Sequence, residues 1–374
     1  MAKKARIWDG SQWVDIASAV TDLTQYANLT TTPVSGFRNA IINGDFRINQ
    51  RGFTSNTTNA TYTFDRWAQY NSGGTVTTSA QTFTVGSPAV SGFESANYIR
   101  QVVSGQSTSG HYGSLLQPIE DVRTYAGATV TISFYARAGS GTPKIAVELQ
   151  QKFGSGGSPS SDVFTYTNQV TLSTSWARYS ITTAVPSISG KTIGTTANTS
   201  SLGINLWTSA GSDSNTRSGS LGVQNNTFDI WGVQVEPGTI ATPFEQRPIG
   251  AEIALCQRYF CKSFPIDIAP ANNLGTGPPG GGNQLTIFNT TVGNSYSNFQ
   301  RFPVPMRRAP DMVAFNSENA NAGSWSIYNS AGALNSSYAT TAAFSPHHTG
   351  FLVAYGGLTT VTVANGAWTA SAEL

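Results

Sequence analysis

The stretch Val130-Thr131-Ile132-Ser133-Phe134-Tyr135-Ala136 places apolar side chains at alternate positions over its first five residues. Successive side chains of a strand point to opposite faces, so this pattern reads as a half-buried antiparallel strand. Runs of similar character recur on either side of it, at 61–68, 75–85, 98–103, 128–137, 144–151, 163–172, 177–183, 201–206 and 227–235. Loops rich in Gly and Ser separate them, among them Gly139-Ser140-Gly141 and Gly154-Ser155-Gly156-Gly157-Ser158. Nine such runs between residues 38 and 247 predict one large antiparallel β-sandwich, a jelly roll. No alternation of strand and helix is present, which excludes a doubly wound nucleotide-binding fold.

Composition agrees. Of 374 residues, 39% are apolar but only 11% are charged, against about 25% charged in a typical globular chain. Polarity comes instead from Ser, Thr, Asn, Gln and 38 Gly, beside 19 Phe, 14 Tyr and 8 Trp. These are strand and turn residues, and the reading is all-β. The net charge is +2 and the densest basic cluster is Lys3-Lys4 with Arg6, so a nucleic-acid partner is not expected. No apolar run reaches the ~18 residues of a membrane span, nor does the N-terminus carry the ~7–15 apolar residues of a signal peptide. Low charge without a secretion signal predicts a protein made in a host cytoplasm and exposed after lysis, as a virion component is. Cys256 and Cys261 are expected to be free thiols rather than a disulfide framework.

The flanks divide the chain further. Residues 1–37 read as an attachment segment: Arg6-Ile7-Trp8 and Trp13-Val14-Asp15 flank Asp9-Gly10, a hairpin signal. Ile16, Val20, Leu23 and Ala27 then predict a short amphipathic helix, either packed on a neighbour or serving as a trimerising stub. Residues 248–263 read as a helical connector of about three turns, stopped by Pro265. Its stripe Ile249, Ile253, Cys256 and Phe260 either lines a three-fold axis or packs on its own sandwich. Residues 264–374 return to short strands and predict a smaller C-terminal β-domain, placed as a receptor-binding tip by its position in the chain.

Several strings carry a resemblance. Asn39-Ala40-Ile41-Ile42-Asn43-Gly44-Asp45-Phe46-Arg47-Ile48-Asn49-Gln50 is followed by Phe64-Asp65-Arg66-Trp67. The module closes with Phe228-Asp229-Ile230-Trp231-Gly232-Val233-Gln234-Val235-Glu236-Pro237-Gly238, then Ala241-Thr242-Pro243-Phe244-Glu245-Gln246-Arg247. Together with the helix these resemble bacteriophage tail fibres and other tail-associated receptor-binding proteins, over residues 39–262. The enclosed sandwich is also similar to the carbohydrate-binding jelly rolls attached to glycoside hydrolases. The resemblance implies a homotrimer docked to phage tail proteins through its N-terminal segment. It implies attachment to a host cell-surface polysaccharide or lipopolysaccharide, without catalysis. It further implies a structural Ca²⁺ position, for which Asn43, Asp45 and Asp229 are the matching residues. Arg47 and Asn49 follow Asp45, so no second carboxylate stands beside it. The alternatives are a purely structural head or baseplate component and a glycan-degrading tailspike.

Motifs of catalysis are weak. Gly275-Thr276-Gly277-Pro278-Pro279-Gly280 has the letters of a dinucleotide loop, but its prolines cannot donate N–H and no helix pattern follows. The chain has three histidines, His111, His347 and His348, and no serine in a nucleophile elbow. Glu120 and Asp121 are adjacent and would point to opposite faces of a strand, so they are not a glycosidase pair. No enzyme is expected. For ligand binding the expected residues lie in the tip: Trp325, Tyr328 and Tyr338 among Asn, Ser and Gly, with His347 and His348 and the loop 275–282; the rival surface is the sandwich itself, through its resemblance to carbohydrate-binding modules. Aromatic faces suit sugar C–H surfaces, although core packing is the competing role for the same residues. Adjacent histidines on a strand are expected to point apart, against a metal pair.

Overall fold

The computed structural model describes residues 6–8, 13–15, 37–90, 93–274, 285–289, 296–316, 324–328, 340–341, 343–355 and 362–374. The helix expected at 16–27, the loop 275–282 and Tyr338 lie outside them. The N-terminal hairpin is present: β1 (Arg6–Trp8) pairs antiparallel with β2 (Trp13–Asp15), setting Trp8 opposite Trp13.

Twelve strands build the sandwich. One six-stranded sheet has the order β11 (Val163–Thr171), β10 (Lys144–Lys152), β13 (Ser201–Ala210), β8 (Tyr112–Glu120), β5 (Ala68–Ser72), β4 (Thr61–Tyr62). The other has the order β12 (Ala177–Ala184), β9 (Thr129–Ala138), β14 (Asn226–Pro237), β7 (Asn97–Ser104), β6 (Thr75–Thr82), β3 (Ser55–Asn56). All pairs are antiparallel, and the chain changes sheet at each step from β7 to β10 and again from β11 to β14. The inward residues of β9, Ile132, Phe134 and Ala136, share one core with Val147 and Leu149 of β10, Ile204 of β13, and Phe228 and Ile230 of β14. Each fully buried Ile, Leu or Phe contributes about 1.5–3 kcal/mol.

Two expectations change here. The strand at 130–136 is buried on both faces: Thr131 donates to the Gly238 carbonyl (2.9 Å), Ser133 accepts from Arg178 (3.0 Å), and Arg178 also binds the Thr242 carbonyl. The closing segment 238–244 therefore covers the face that alternation assigned to solvent. The expected strand 61–68 is instead two short strands around a turn, because Trp67 N donates to Phe64 O (3.0 Å).

The strings that carry the phage resemblance form one knot. Asn43 is left-handed (φ 56°) and ties its own loop, its amide donating to the Ile48 (2.8 Å) and Asp65 (3.1 Å) carbonyls. The Trp67 indole donates back to Asn43 O (3.0 Å), and Asp65 accepts Gln50 N (2.7 Å). Gly44 lies against β14, where an added Cβ would run into the Val233 carbonyl oxygen. Arg247 bonds the Ile41 and Asn39 carbonyls and pairs with Glu252.

After β14, helix α2 (Ile249–Gln257) is shorter than expected; the one other α-helical turn among the described residues is α1 (Asn215–Ser218). Phe260–Lys262 leave the helix as strand β15, because β23 (Thr362–Ser371) offers them a ladder. The 4-3-4 stripe is thereby split. Cys256 and Phe260 are buried in their own chain, while Ile249 remains 50% exposed. Both thiols are free, and burial pushes Cys261 up to about 12.

In the C-terminal domain, β23 is flanked by β16 (Leu285–Asn289) and β19 (Ser324–Tyr328) along its first half. Along its second half it pairs with β15 and with β18 (Asp311–Phe315). Strand β20 (Thr340–Thr341) extends this sheet through β19. A second sheet has the order β17 (Tyr296–Arg301), β22 (Gly350–Tyr355), β21 (Ala343–His347). Trp325, Phe351, Trp368, Phe302 and Met306 share its core. Among the described residues, no helix is long and apolar enough to cross a membrane.

Candidate functional site

The outer face of the sheet β11-β10-β13-β8-β5 gathers aromatic and amide side chains from distant parts of the chain. Register aligns them in rows across the strands. Tyr70 is opposite Ser114, which is opposite Trp207. Leu116 is opposite Asn205, then Glu148, then Tyr166. Pro118 is opposite Gly203, then Gln150, then Phe164.

Two adjoining hollows open on this face, of about 260 and 200 Å³, sharing Tyr70, Leu116, Gln150 and Lys152. Gly203 keeps the floor low, since a Cβ there would meet Leu116 and Gln150 at 3.0 and 3.1 Å. Both are smaller than the ~300–1,000 Å³ of a drug-sized pocket, a size that suits single rings laid in a shallow groove. Arg307 and Leu374 of the C-terminal domain wall the second hollow.

Beneath the groove, Glu148 is fully buried and accepts from four side chains. Arg217 donates twice (2.6 and 3.0 Å), Gln150 once (2.9 Å), Asn205 once (3.1 Å) and the Trp207 indole once (3.2 Å). Arg217 in turn lies over the Phe164 ring (4.1 Å) and the Trp207 ring (5.2 Å), and Tyr112 meets Trp207 edge-on at 5.7 Å. A charge buried with matched donors holds its neighbours in fixed orientations. Trp207 is thus a covered support, while Tyr70, Tyr112 and Phe164 present partly exposed rings. Burial, and secondarily the Tyr112 phenol, raise the Tyr70 hydroxyl, which stays a neutral donor and acceptor. Rings for apolar faces beside amides and hydroxyls for polar edges have the chemistry that suits polyhydroxylated rings.

The residues expected from sequence fall elsewhere. Trp325 is fully buried, packing on Phe344 (6.1 Å) and over Gly366, and it serves the domain core. Tyr328 ends β19, opposite Val363. His347 and His348 are exposed, but their rings lie together, with centroids 4.1 Å apart, rather than pointing apart. The reason is that the strand stops at His347 and His348 begins the turn, where alternation no longer holds.

The residues matched to a Ca²⁺ position are already engaged. Asp229 receives Arg100 (2.6 and 2.9 Å) and Arg137 (2.8 Å). Asn43 is spent on its loop, and Asp45 pairs with Arg47. Burial, opposed by Arg47, raises Asp45. Ca²⁺ requires about 6–8 free oxygens, so this set does not fit the ion. Among the described residues no group of three or more His, Cys, Asp or Glu side chains is gathered as metal ligands.

The groove was hidden in sequence because period-two alternation marks two faces of a strand without saying which rows meet. Its trace is the series Glu148, Gln150, Lys152 alternating with Ile145, Val147 and Leu149, a polar face behind an apolar one.

Fold and face together define an antiparallel jelly-roll sandwich with a groove on one sheet. No protein-family model matches the chain, and no curated protein matches it in sequence. Among solved structures, it is similar to the enzymatically active domain of bacteriophage CBA120 tailspike protein 4, at 13% identity and a TM-score of 0.31, over 55% of this chain and 22% of that one. It is also similar to the family 11 carbohydrate-binding module from Clostridium thermocellum in complex with a mixed-linked tetrasaccharide, at 12% identity and a TM-score of 0.29, over 51% and 99% of the two chains. A third is the CBM22-1 xylan-binding domain from Paenibacillus barcinonensis Xyn10C, at 12% identity and a TM-score of 0.27, over 50% and 94%. At such scores these likenesses carry no argument about function, which rests on the groove itself.

Proposed function

We propose that this protein is a non-catalytic glycan-binding virion component, a bacteriophage tail fibre that attaches to a host surface polysaccharide or lipopolysaccharide. The observation that carries the reading is the groove: the partly exposed rings of Tyr70, Tyr112 and Phe164 line it with the largely buried Gln150, Ser114 and Asn205, over a floor locked by Glu148. This moves the contact surface from the C-terminal domain to the sandwich, since the tip's Trp325 is core. Asp162 is the one Asp or Glu among the described residues lining the groove. Glycoside cleavage generally needs two carboxylates, ~5–9.5 Å apart, which favours binding over hydrolysis. The N-terminal hairpin is the tail-docking segment, and a homotrimer turns weak single sites into avid attachment.

The test is isothermal calorimetry of the full chain against polysaccharide purified from host cells, with Tyr70→Ala alongside. Loss of a stacking ring worth roughly 0.5–1.5 kcal/mol should weaken binding about two- to tenfold. Equal binding by both proteins would remove the groove from the reading. A monomer by light scattering at micromolar concentration would remove the trimer.

A further inference from the structure

The second hollow differs from the first in charge. Its lining contains Lys152 and Arg307 and no Asp or Glu side chain. Lys152 ends β10 at the hollow's edge, half-buried, with no ion-pair partner among the described residues. Arg307 is 4% exposed; its Nε and Nη2 donate to the Ala372 (2.9 Å) and Glu373 (2.7 Å) carbonyls, and its Nη1 has no partner. Asp162 shares the first hollow with Lys152 and accepts the Phe153 amide (3.4 Å); the other carboxylates around the junction are paired. Glu120 holds Arg258 (2.6 Å) and Tyr259 (3.1 Å), Glu373 holds Arg66 and Arg51, and Glu148 holds Arg217. Leu374, also in the lining, has its main-chain oxygen on the Tyr62 hydroxyl (2.9 Å).

From this we infer that the hollow at the sandwich–C-terminal junction is an anionic subsite, taking a sugar ring that bears a carboxylate or phosphate. Lys152 makes the direct contact, and Arg307 adds positive charge from below, where low dielectric strengthens its field. Burial, and secondarily Arg308, lower the Arg307 guanidinium against the pull of Glu120, and a bound anion opposes that lowering. The Ser201 and Thr199 hydroxyls and Tyr70 line the same hollow, so the ring would share the groove's aromatic side. The inference rests on the glycan-binding reading and specifies its ligand as an acidic glycan.

The experiment titrates the full-length protein with D-glucuronate, glucose 6-phosphate and glucose at millimolar concentration, followed by ligand-observed NMR. At least one acidic sugar should bind about tenfold more tightly than glucose, a difference of ~1.4 kcal/mol, and added salt should erode it. Which acidic sugar binds better separates carboxylate from phosphate. Lys152→Gln should reduce the preference and Lys152→Glu abolish it, with the unfolding midpoint unchanged. Equal binding of all three sugars overturns the subsite but leaves the glycan reading standing. Failure of both acidic sugars to bind overturns it too, and the host-polysaccharide calorimetry then decides separately whether the broader reading survives.

Discussion

Glu148 sits at position 148 of a strand whose neighbours Val147 and Leu149 point into the core, so its own side chain must face outward. It is nonetheless fully buried, because Arg217 and Trp207 close over it. Glu148→Gln replaces one acceptor oxygen with a donor that faces other donors. Leaving such groups unsatisfied costs about 1–3 kcal/mol. We expect a lower urea midpoint together with weaker glycan binding; an unchanged midpoint would show that the network is not holding the floor. Glu245 gives a pH prediction. Burial pushes its carboxyl up, but the Asn39 (2.8 Å) and Phe37 (2.8 Å) amides, with Arg247 and the Arg38 amide, outweigh this and hold it below the ordinary range. A depressed carboxylate contributes stability that is present above its unfolded pKa and lost as pH falls through the folded one. Glu245→Gln should therefore lower Tm near neutral pH, with the difference closing in acid. A gap that widens in acid would contradict the assignment. Asp65 is raised by burial and so has the opposite slope, which the wild-type-minus-variant difference cancels.

Among elements, strands with clean alternation were readable and those ruled by partners were not. Strand β8 carries Gly113 and Pro118 and was not expected, yet it is held on both sides, by β13 and β5. Its Pro118 lies past the β5 pairing, which ends at Leu116, and is laddered to Gly203 of β13 alone, an edge position where a proline is tolerated. Phe260–Lys262 continued a helical pattern until β23 supplied a ladder, an example of tertiary pairing overriding local periodicity. The opening loop 39–48 stands out in sequence only through its resemblance; in the structure it closes on β14, Ala40 N donating to Val235 O and Val233 N to Gly44 O (both 2.9 Å). Gly44→Ala would drive a methyl into the Val233 carbonyl, an overpacking that typically costs about 1–3 kcal/mol. Calorimetry should register a lower Tm for the whole sandwich; an unshifted transition would mean that the loop moves away from β14 without cost.

At the scale of the molecule, the C-terminal end is built into the sandwich. Glu373 pairs with Arg66 and with Arg51 (3.0 Å), and Arg66 lies over the Tyr259 ring (3.4 Å). Arg258 reaches Glu120 at the end of β8, and the Asn198 amide donates to the Arg307 carbonyl (2.6 Å). Removing one partner of a buried pair costs about 3–5 kcal/mol, because the other charge is left without compensation. Glu373→Ala should therefore uncouple the two domains, so that a single calorimetric transition separates into two. A variant that still unfolds in one unshifted step would place the coupling elsewhere. The same junction supplies Arg307 to the groove, so loss of docking should also weaken acidic-sugar binding.

By itself the sequence determined the all-β class, the sandwich, the hairpin and the free thiols, because alternation, turn chemistry and the cysteine count are local properties. The strings 39–50, 64–67 and 228–247 were equally legible, and the structure draws them into the knot in which Asn43, Asp65 and Arg247 tie separate segments together. Only the tertiary structure decided where a ligand could lie. A row such as Tyr70, Ser114 and Trp207 exists only once strand register is set, and Trp325 became core only when Gly366 came to lie against its ring. Register depends on contacts between residues far apart in the chain, and no local pattern encodes which of two outward faces will be walled by another domain.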